Sequence, residues 1–200
     1  MKKSLCFLLI GLMLVSFTKS FVNAQESAVE PAQAETVMQK SGGIDGVTLA
    51  VIGAIIAIVF SGFGSARGIT LAAAPATGIM SENPDMFGKL LILVTLPGTQ
   101  GIYGFVTGFL VLLKIGIIGG AIQPVTLNQG VQILGICAFQ SFIELSSAIY
   151  QGKVAAHGIV MTGKKPEASM KGVIMAVLVE TYAVLGLLAG ILGIWFGIRF

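Results

Sequence analysis

Val173-Ile-Met-Ala-Val-Leu-Val-Glu180-Thr-Tyr-Ala-Val-Leu-Gly186 sets one carboxylate inside a long apolar run. From Ser169 to Ile198 the only other charge is Lys171, and Val, Ile, Leu, Ala, Gly and Met dominate the remainder. A transmembrane helix needs about 20 largely apolar residues, and this stretch exceeds that. An ionisable group at the centre of such a span costs about 2.5–3.5 kcal/mol even on lenient insertion scales. Two readings of Glu180 follow. It handles an ion, or it stays protonated and hydrogen-bonds a neighbouring helix.

Composition points the same way. Hydrophobic residues make up 55% of the chain and charged residues 10%, against about 25% charged in soluble domains. This describes an all-α integral membrane protein. The net charge of +3 gives no basic surface for nucleic acid. No Gly-rich phosphate loop ending in Lys-Ser/Thr is present, so the chain has no nucleotide-hydrolysing site of its own.

The first 24 residues stand apart. Met1-Lys-Lys is basic, Leu5 to Phe17 apolar, and Val22-Asn-Ala24 a small-residue site before Gln25. That pattern predicts a cleavable secretory signal over 1–24, with an uncleaved extra span as the alternative. Cys6 would leave with it, and Cys137 alone cannot form an intramolecular disulfide. Residues 25–45 are polar, carry Glu26, Glu30 and Glu35 against Lys40, and read as a solvated extracytoplasmic tail.

Four apolar segments follow, at about Gly46–Ile79, Phe87–Gly119, Gln129–Met161 and Ser169–Phe200. They group into a first hairpin over 46–119, an outer loop over 120–128 and a second hairpin over 129–200. Arg67, Lys89, Lys153, Lys164, Lys165 and Lys171 flank the first and third breaks, whereas the middle break has only Lys114 nearby. By the positive-inside rule the first and third breaks are cytoplasmic and both termini extracytoplasmic. A cleaved signal requires the same topology; Arg199 alone dissents. The two hairpins also look like copies of one unit: a helix end, Pro84-Asp85 and a long helix, then a helix end, Pro166-Glu167 and another long helix. Internal repeats in membrane proteins place sites at equivalent depths.

Gln100 lies sixteen residues after Pro84, Gln151 fifteen before Pro166, and Glu180 fourteen after Pro166. At 1.5 Å per residue all three sit roughly 21–24 Å from the proline turns. Leu96, Thr99, Gln100 and Tyr103 share one helix face by their i, i+3, i+4, i+7 spacing. Pro97 removes a backbone donor there and can free a carbonyl. On the fourth segment, Val173, Ala176, Val177, Ala183 and Val184 surround Glu180 as a small-residue face. A carboxylate, two amide oxygens, a hydroxyl and a carbonyl are hard ligands that suit a small cation. Na⁺ fits this set better than a bare proton, which needs only Glu180 and one partner. For either glutamine alone, the alternative is a hydrogen bond between helices.

Leu96-Pro-Gly-Thr-Gln-Gly-Ile-Tyr103, Gln151-Gly-Lys-Val-Ala-Ala, Lys165-Pro-Glu and Val179-Glu-Thr-Tyr182 together resemble the four-helix proteolipid subunit (subunit K, or c) of V-type ATPases, especially the sodium-translocating bacterial kind. The resemblance covers about Gly46 to Phe200. It implies a rotor ring of identical subunits in a bacterial inner membrane, turned through central-stalk subunits against a stator subunit that carries an essential arginine. It further implies that Glu180 carries the ion, that Gln151, Gln100, Thr99 and the Leu96 carbonyl complete the shell, and that Tyr103 hydrogen-bonds Glu180. The long acidic tail and signal are unusual for the family. Gly53, Gly62, Gly64, Gly68, Gly130 and Gly135 would let the first and third helices pack closely inside such a ring. Glu144, at i, i+7 from Gln151, has two readings: an exit path or ring pairing, and a structural or protonated role. The competing function is an autonomous small cation channel or carrier built from the two hairpins.

Overall fold

The computed structural model describes residues 45–199. The signal (1–24) and the tail up to residue 44 lie outside the described residues. Helix α1 (Gly46–Glu82) starts at Asp45, whose carboxylate accepts from the Thr48 N–H at 2.8 Å. Those hydrogen bonds from Thr48 hold the Asp45 carboxyl below the usual range. After a 3₁₀ turn at Pro84–Met86 come α2 (Phe87–Thr95), a second 3₁₀ turn at Leu96–Gly98, and α3 (Thr99–Lys114). Helix α4 (Leu127–Lys164) opens with a reciprocal cap between Thr126 and Gln129. A third 3₁₀ turn, Pro166–Ala168, leads into α5 (Ser169–Leu192) and a π turn at Gly193–Gly197.

Four helical segments are long and apolar enough to cross a membrane: Gly46–Glu82, Pro84–Lys114, Leu127–Lys164 and Pro166–Gly197. This is a multi-pass, all-helical membrane protein. Helices α1 and α4 have 37 and 38 residues. Such helices are roughly 55 Å long, against a hydrocarbon core of about 30 Å, so they extend past the bilayer.

The repeat is visible in the backbone. Asn83 has φ −139° and ψ 89°, and Lys165 has φ −140° and ψ 91°. Each precedes a proline, which disfavours the helical region and pushes the residue toward extended backbone. Each also donates its N–H back to a helix carbonyl at 2.9 Å, Asn83 to Ile79 and Lys165 to Met161. The two hairpins therefore turn by the same mechanism.

Two boundaries differ from expectation. The second span ends at Lys114 rather than Gly119, because the chain reverses through Gly116, Gly119 and Gly120, all at positive φ. The last helix gives way at Leu192 to the π turn. There Lys114 Nζ donates to the carbonyls of Ile194 (2.5 Å), Ile198 (2.7 Å) and Trp195 (3.1 Å), satisfying helix-end acceptors that would otherwise face an apolar surround.

Glycines set how closely the helices approach. A Cβ on Gly64 would lie 2.7 Å from the Leu145 Cα, and one on Gly53 3.0 Å from the Leu134 Cα, so α1 and α4 are in backbone contact. Gly68 and Gly130 are equally confined, whereas a Cβ on Gly62 or Gly135 would meet nothing. Gly62 Cα nevertheless lies 3.6 Å from where a Cβ on Gly101 would stand, so its backbone faces the second span. Buried apolar residues form two clusters. One, with Ala54, Val111, Ile133 and Ile194, lies toward the long-loop end; the other, with Ala76, Leu90, Leu93 and Ile159, lies toward the proline turns. A layer of buried polar side chains separates them, including Ser61, Gln100, Thr107, Gln140, Glu144 and Gln151.

Candidate ion-binding site

The polar layer brings Gln100, Tyr103, Gln151 and Glu180 into one hydrogen-bonded chain. Glu180, on α5, is half-buried. Its Oε1 accepts from the Tyr103 hydroxyl at 2.8 Å, and its Oε2 from Gln151 Nε2 at 3.3 Å. Gln151 Nε2 also donates to the Ala176 carbonyl, one turn earlier on α5, at 3.1 Å. Gln151 Oε1 accepts from Gln100 Nε2 at 2.7 Å. The expectation of a common depth, drawn from counting residues from the proline turns, is met by side chains that touch.

Each position has a local cause. The 3₁₀ turn at Leu96–Gly98 forms where Pro97 cannot supply a helical N–H, and the Pro97 ring packs where Gly68 has no side chain. Leu96 O is reached by the Thr99 N–H and by Thr99 Oγ1, the latter at 3.0 Å. Thr99 and the Leu96 carbonyl thus form a pair beside Gln100 and make no direct bond to Glu180. Gly101 N donates to Ser65 Oγ at 2.7 Å, pinning this turn to α1. On α5, Ala176 and Ala183 pack inward and Val173 is half-buried, but Val177 and Val184 are exposed. The small-residue face expected around Glu180 is therefore narrower than six positions, and the carboxylate sits at its edge.

The chemistry of the donor set is specific. Both donors to Glu180 are neutral, so the carboxylate's charge is hydrogen-bonded but not cancelled. Gln100 and Gln151 are fully buried, and Gln100 Oε1 has no partner among the described residues. An acceptor oxygen is thus left without a donor on the glutamine that bonds Gln151, and a small cation is one group that takes neutral oxygens of this kind. No three His, Cys, Asp or Glu side chains cluster among the described residues, so the oxygens at hand are one carboxylate and neutral groups.

Other members of the layer were not anticipated from sequence. Gln140 Nε2 donates to Thr107 Oγ1 at 2.5 Å, Thr107 Oγ1 to the Tyr103 carbonyl at 3.0 Å, and Ser147 Oγ to the Val179 carbonyl at 3.2 Å. Gln140, Glu144, Ser147 and Gln151 follow i, i+4, i+7, i+11, so one polar stripe on α4 was the available signal. Glu144 is fully buried, with neither carboxyl oxygen bonded among the described residues.

Comparison with known proteins bears on the two-hairpin repeat and on the family. The family model for the C subunit of ATP synthase matches twice, over residues 52–111 and 134–193, one match per hairpin. Over 141 residues the chain is 44% identical to the V-type sodium ATPase subunit K of Enterococcus hirae, covering 70% of this chain and 86% of that one. It is 30% identical over 149 residues to the A-type ATP synthase subunit K of Methanocaldococcus jannaschii, covering 74% of this chain and 63% of the relative. The 16 kDa proteolipid of the V-type proton ATPase of Nephrops norvegicus is 26% identical over 141 residues, covering 70% of this chain and 86% of the relative.

Proposed function

The chain belongs to the ATP synthase C-subunit family, as a duplicated V-type proteolipid subunit of an ion-translocating rotor, and from that premise we propose that it carries Na⁺ on Glu180 through a homo-oligomeric ring. The observation that carries the reading is the Gln100–Gln151–Glu180–Tyr103 chain, with its neutral donors and one unpartnered oxygen. The sodium ATPase subunit of E. hirae, 44% identical, supports Na⁺ over H⁺.

The mechanism follows from where the charge sits. Glu180 is half-exposed at membrane depth, so an ionised, unloaded carboxylate facing lipid is strongly disfavoured. The ring turns past lipid only when the charge is neutralised by Na⁺, or by a proton. A stator arginine on another subunit displaces the ion and separates entry from exit. Gln151 now offers Nε2 to Glu180, which suits a carboxylate without its ion. Loading Na⁺ requires that amide to turn and present Oε1. Its Nε2 then faces Gln100, whose own turned amide brings the unpartnered Oε1 to receive it. The Tyr103 hydroxyl holds the carboxylate in both states.

The remaining assignments belong to the same proposal. The proline turns are cytoplasmic, both termini lie outside, the membrane is a bacterial inner membrane, and central-stalk subunits transmit rotation. The hairpins 46–119 and 129–200 are the duplicated units, and the second carries the ion.

The test is labelling of Glu180 by a hydrophobic carbodiimide, which attacks a protonated, lipid-accessible carboxyl. Labelling of the assembled complex should fall on Glu180, rise as pH falls, and be suppressed by Na⁺ most strongly at high pH, where fewer protons compete. Labelling that ignores Na⁺ at pH 8 would make Glu180 a proton carrier.

A further inference from the structure

Gln100 follows the 3₁₀ turn of the second span, and part of what holds that turn belongs to another helix. Helix α3 begins at Thr99, so Gly101 is its third residue. A Ser, Thr, Asp or Asn in front of a helix ordinarily caps the N–H of its second or third residue. Gly98 stands in that place here, has no side chain and makes no side-chain cap. The hydroxyl comes instead from α1, 36 residues away in sequence: Ser65 Oγ accepts from Gly101 N at 2.7 Å. The hydrocarbon core holds no water, so backbone donors at this depth are satisfied by the protein itself.

Sterics favour the same contact. A Cβ on Gly101 would stand 3.2 Å from both Cβ and Oγ of Ser65, so glycine at this position lets the hydroxyl come close to the N–H. Further along α1, the Pro97 ring packs over Gly68, where a Cβ would lie 2.7 Å from the Pro97 Cβ. Ser65 and Gly68, three residues apart, are neighbours on one helix face. A single turn of α1 therefore grips the 3₁₀ turn on both sides, Pro97 before Gln100 and Gly101 after it. Ser65 itself is buried.

The same turn of α1 also meets α4. A Cβ on Gly68 would collide with the Ala148 carbonyl, and one on Gly152 with the Gly68 backbone. Gly152 follows Gln151, whose Oε1 accepts from Gln100 Nε2 at 2.7 Å. Helix α1 supplies no oxygen to the proposed shell, yet it touches both segments that carry the two amides and so sets their spacing. On the Gln151 side the contact is backbone against backbone. On the Gln100 side it includes one hydroxyl.

We propose that Ser65 is a positioning residue for cation binding: its hydroxyl caps α3 from α1 and so holds Gln100 in register with Gln151. Removing that hydroxyl leaves every proposed ligand in the chain but loosens the seat of one. Na⁺ gathers several neutral oxygens at once and needs the seat. A proton on Glu180 needs one carboxyl oxygen, with Tyr103 as its partner, and does not. This role rests on the ion-site reading of Glu180 and Gln100.

The experiment uses the full-length chain in its native assembly, in lipid at pH 8, and follows carbodiimide labelling of Glu180 across a Na⁺ titration. Losing a neutral hydrogen bond makes the seated turn several-fold less favoured, and apparent affinity falls with the seated fraction. Ser65→Ala should therefore raise the Na⁺ concentration for half-protection about three- to tenfold. The pH dependence of its labelling without Na⁺ should stay that of wild type. In a Gln100→Ala background, which lacks the ligand being positioned, adding Ser65→Ala should change half-protection by about twofold at most. An unchanged Ser65→Ala titration overturns the proposal, as does an equal factor in both backgrounds, or labelling shifted in pH as far as in Na⁺. Wild-type labelling that ignores Na⁺, or Gln100→Ala that binds Na⁺ as wild type does, instead removes the ion-site reading and this role with it. Should Ser65→Ala fail to assemble, Ser65→Cys, which puts a weak acceptor in the same position, replaces it in both backgrounds.

Discussion

Replacing Gln151 by alanine tests the proposed shell most directly, because one amide touches three groups. In the structure its Nε2 donates to Ala176 O at 3.1 Å and to Glu180 Oε2 at 3.3 Å, and its Oε1 accepts from Gln100 Nε2 at 2.7 Å. Truncation leaves Gln100, fully buried with Oε1 already unpartnered, without any bond from its amide. A buried polar group stranded in this way costs about 1–3 kcal/mol, so the assembly should lose detergent or thermal stability without losing its fold. For the ion the loss is different. One of its few neutral oxygens disappears, and an interaction with a charged group contributes about 1.5–3 kcal/mol. At 1.4 kcal/mol per tenfold, Na⁺ binding should weaken by about ten- to a hundredfold. A proton on Glu180 keeps its covalent O–H and its Tyr103 partner, so carbodiimide labelling without Na⁺ should persist. The assay is a Na⁺ titration of Glu180 labelling at pH 8, wild type beside Gln151→Ala. A half-protection concentration unchanged in the variant, with labelling intact in both, would remove Gln151 from the ion shell and reduce it to a bond between helices.

Glu180→Gln should abolish Na⁺-stimulated ATP hydrolysis of the coupled complex while the subunit still assembles, because the amide matches the acid in size but cannot cycle its charge; a coupled, active variant would assign the ion to another residue. Cysteines at Asn83 and Lys164 should react with an impermeant reagent from the cytoplasmic side and one at Gln123 from outside, with reversed labelling inverting the proposed topology. Asp45→Ala should cost about 1 kcal/mol through loss of the α1 cap, and Asp45→Asn much less, as read by thermal unfolding. Because the folded Asp45 carboxyl lies below its ordinary range, its charge-dependent contribution is complete above that range and is lost as pH falls through the folded value. Near neutral pH the stability difference between wild type and Asp45→Asn should therefore be independent of pH.

How much of this was legible beforehand depends on whether a feature is local. Turns set by Pro84 and Pro166, spans set by apolar length, and the depth of Gln100, Gln151 and Glu180 all follow from counting along one helix at a time. Partners that depend on the relative register of two helices do not. Thr107 with Gln140, and Ser65 with Gly101, meet because glycines bring α1 and α4 into backbone contact and because Pro97 shifts the second span by a 3₁₀ turn. Likewise, the inward face of α5 looked six residues wide because helical periodicity does not say how far a neighbour wraps round it. Ala176 and Ala183 are covered, Val177 and Val184 are not.

The duplication sets Gln100 of the first hairpin and Glu180 of the second at similar distances beyond their prolines, yet with different exposure. A single hairpin must supply the charge and its ligands from two helices. A tandem pair divides those tasks: α5 of the second hairpin places Glu180 half in the open, while α3 of the first turns Gln100 fully inward against Gln151. Gln100 lies sixteen residues beyond its proline and Glu180 fourteen beyond its own, and the two extra residues fall in the copy interrupted by Pro97. At that interruption Leu96 and Thr99 pair beside the amide. On the proposed reading, the first copy contributes an amide and the second the ion-carrying acid.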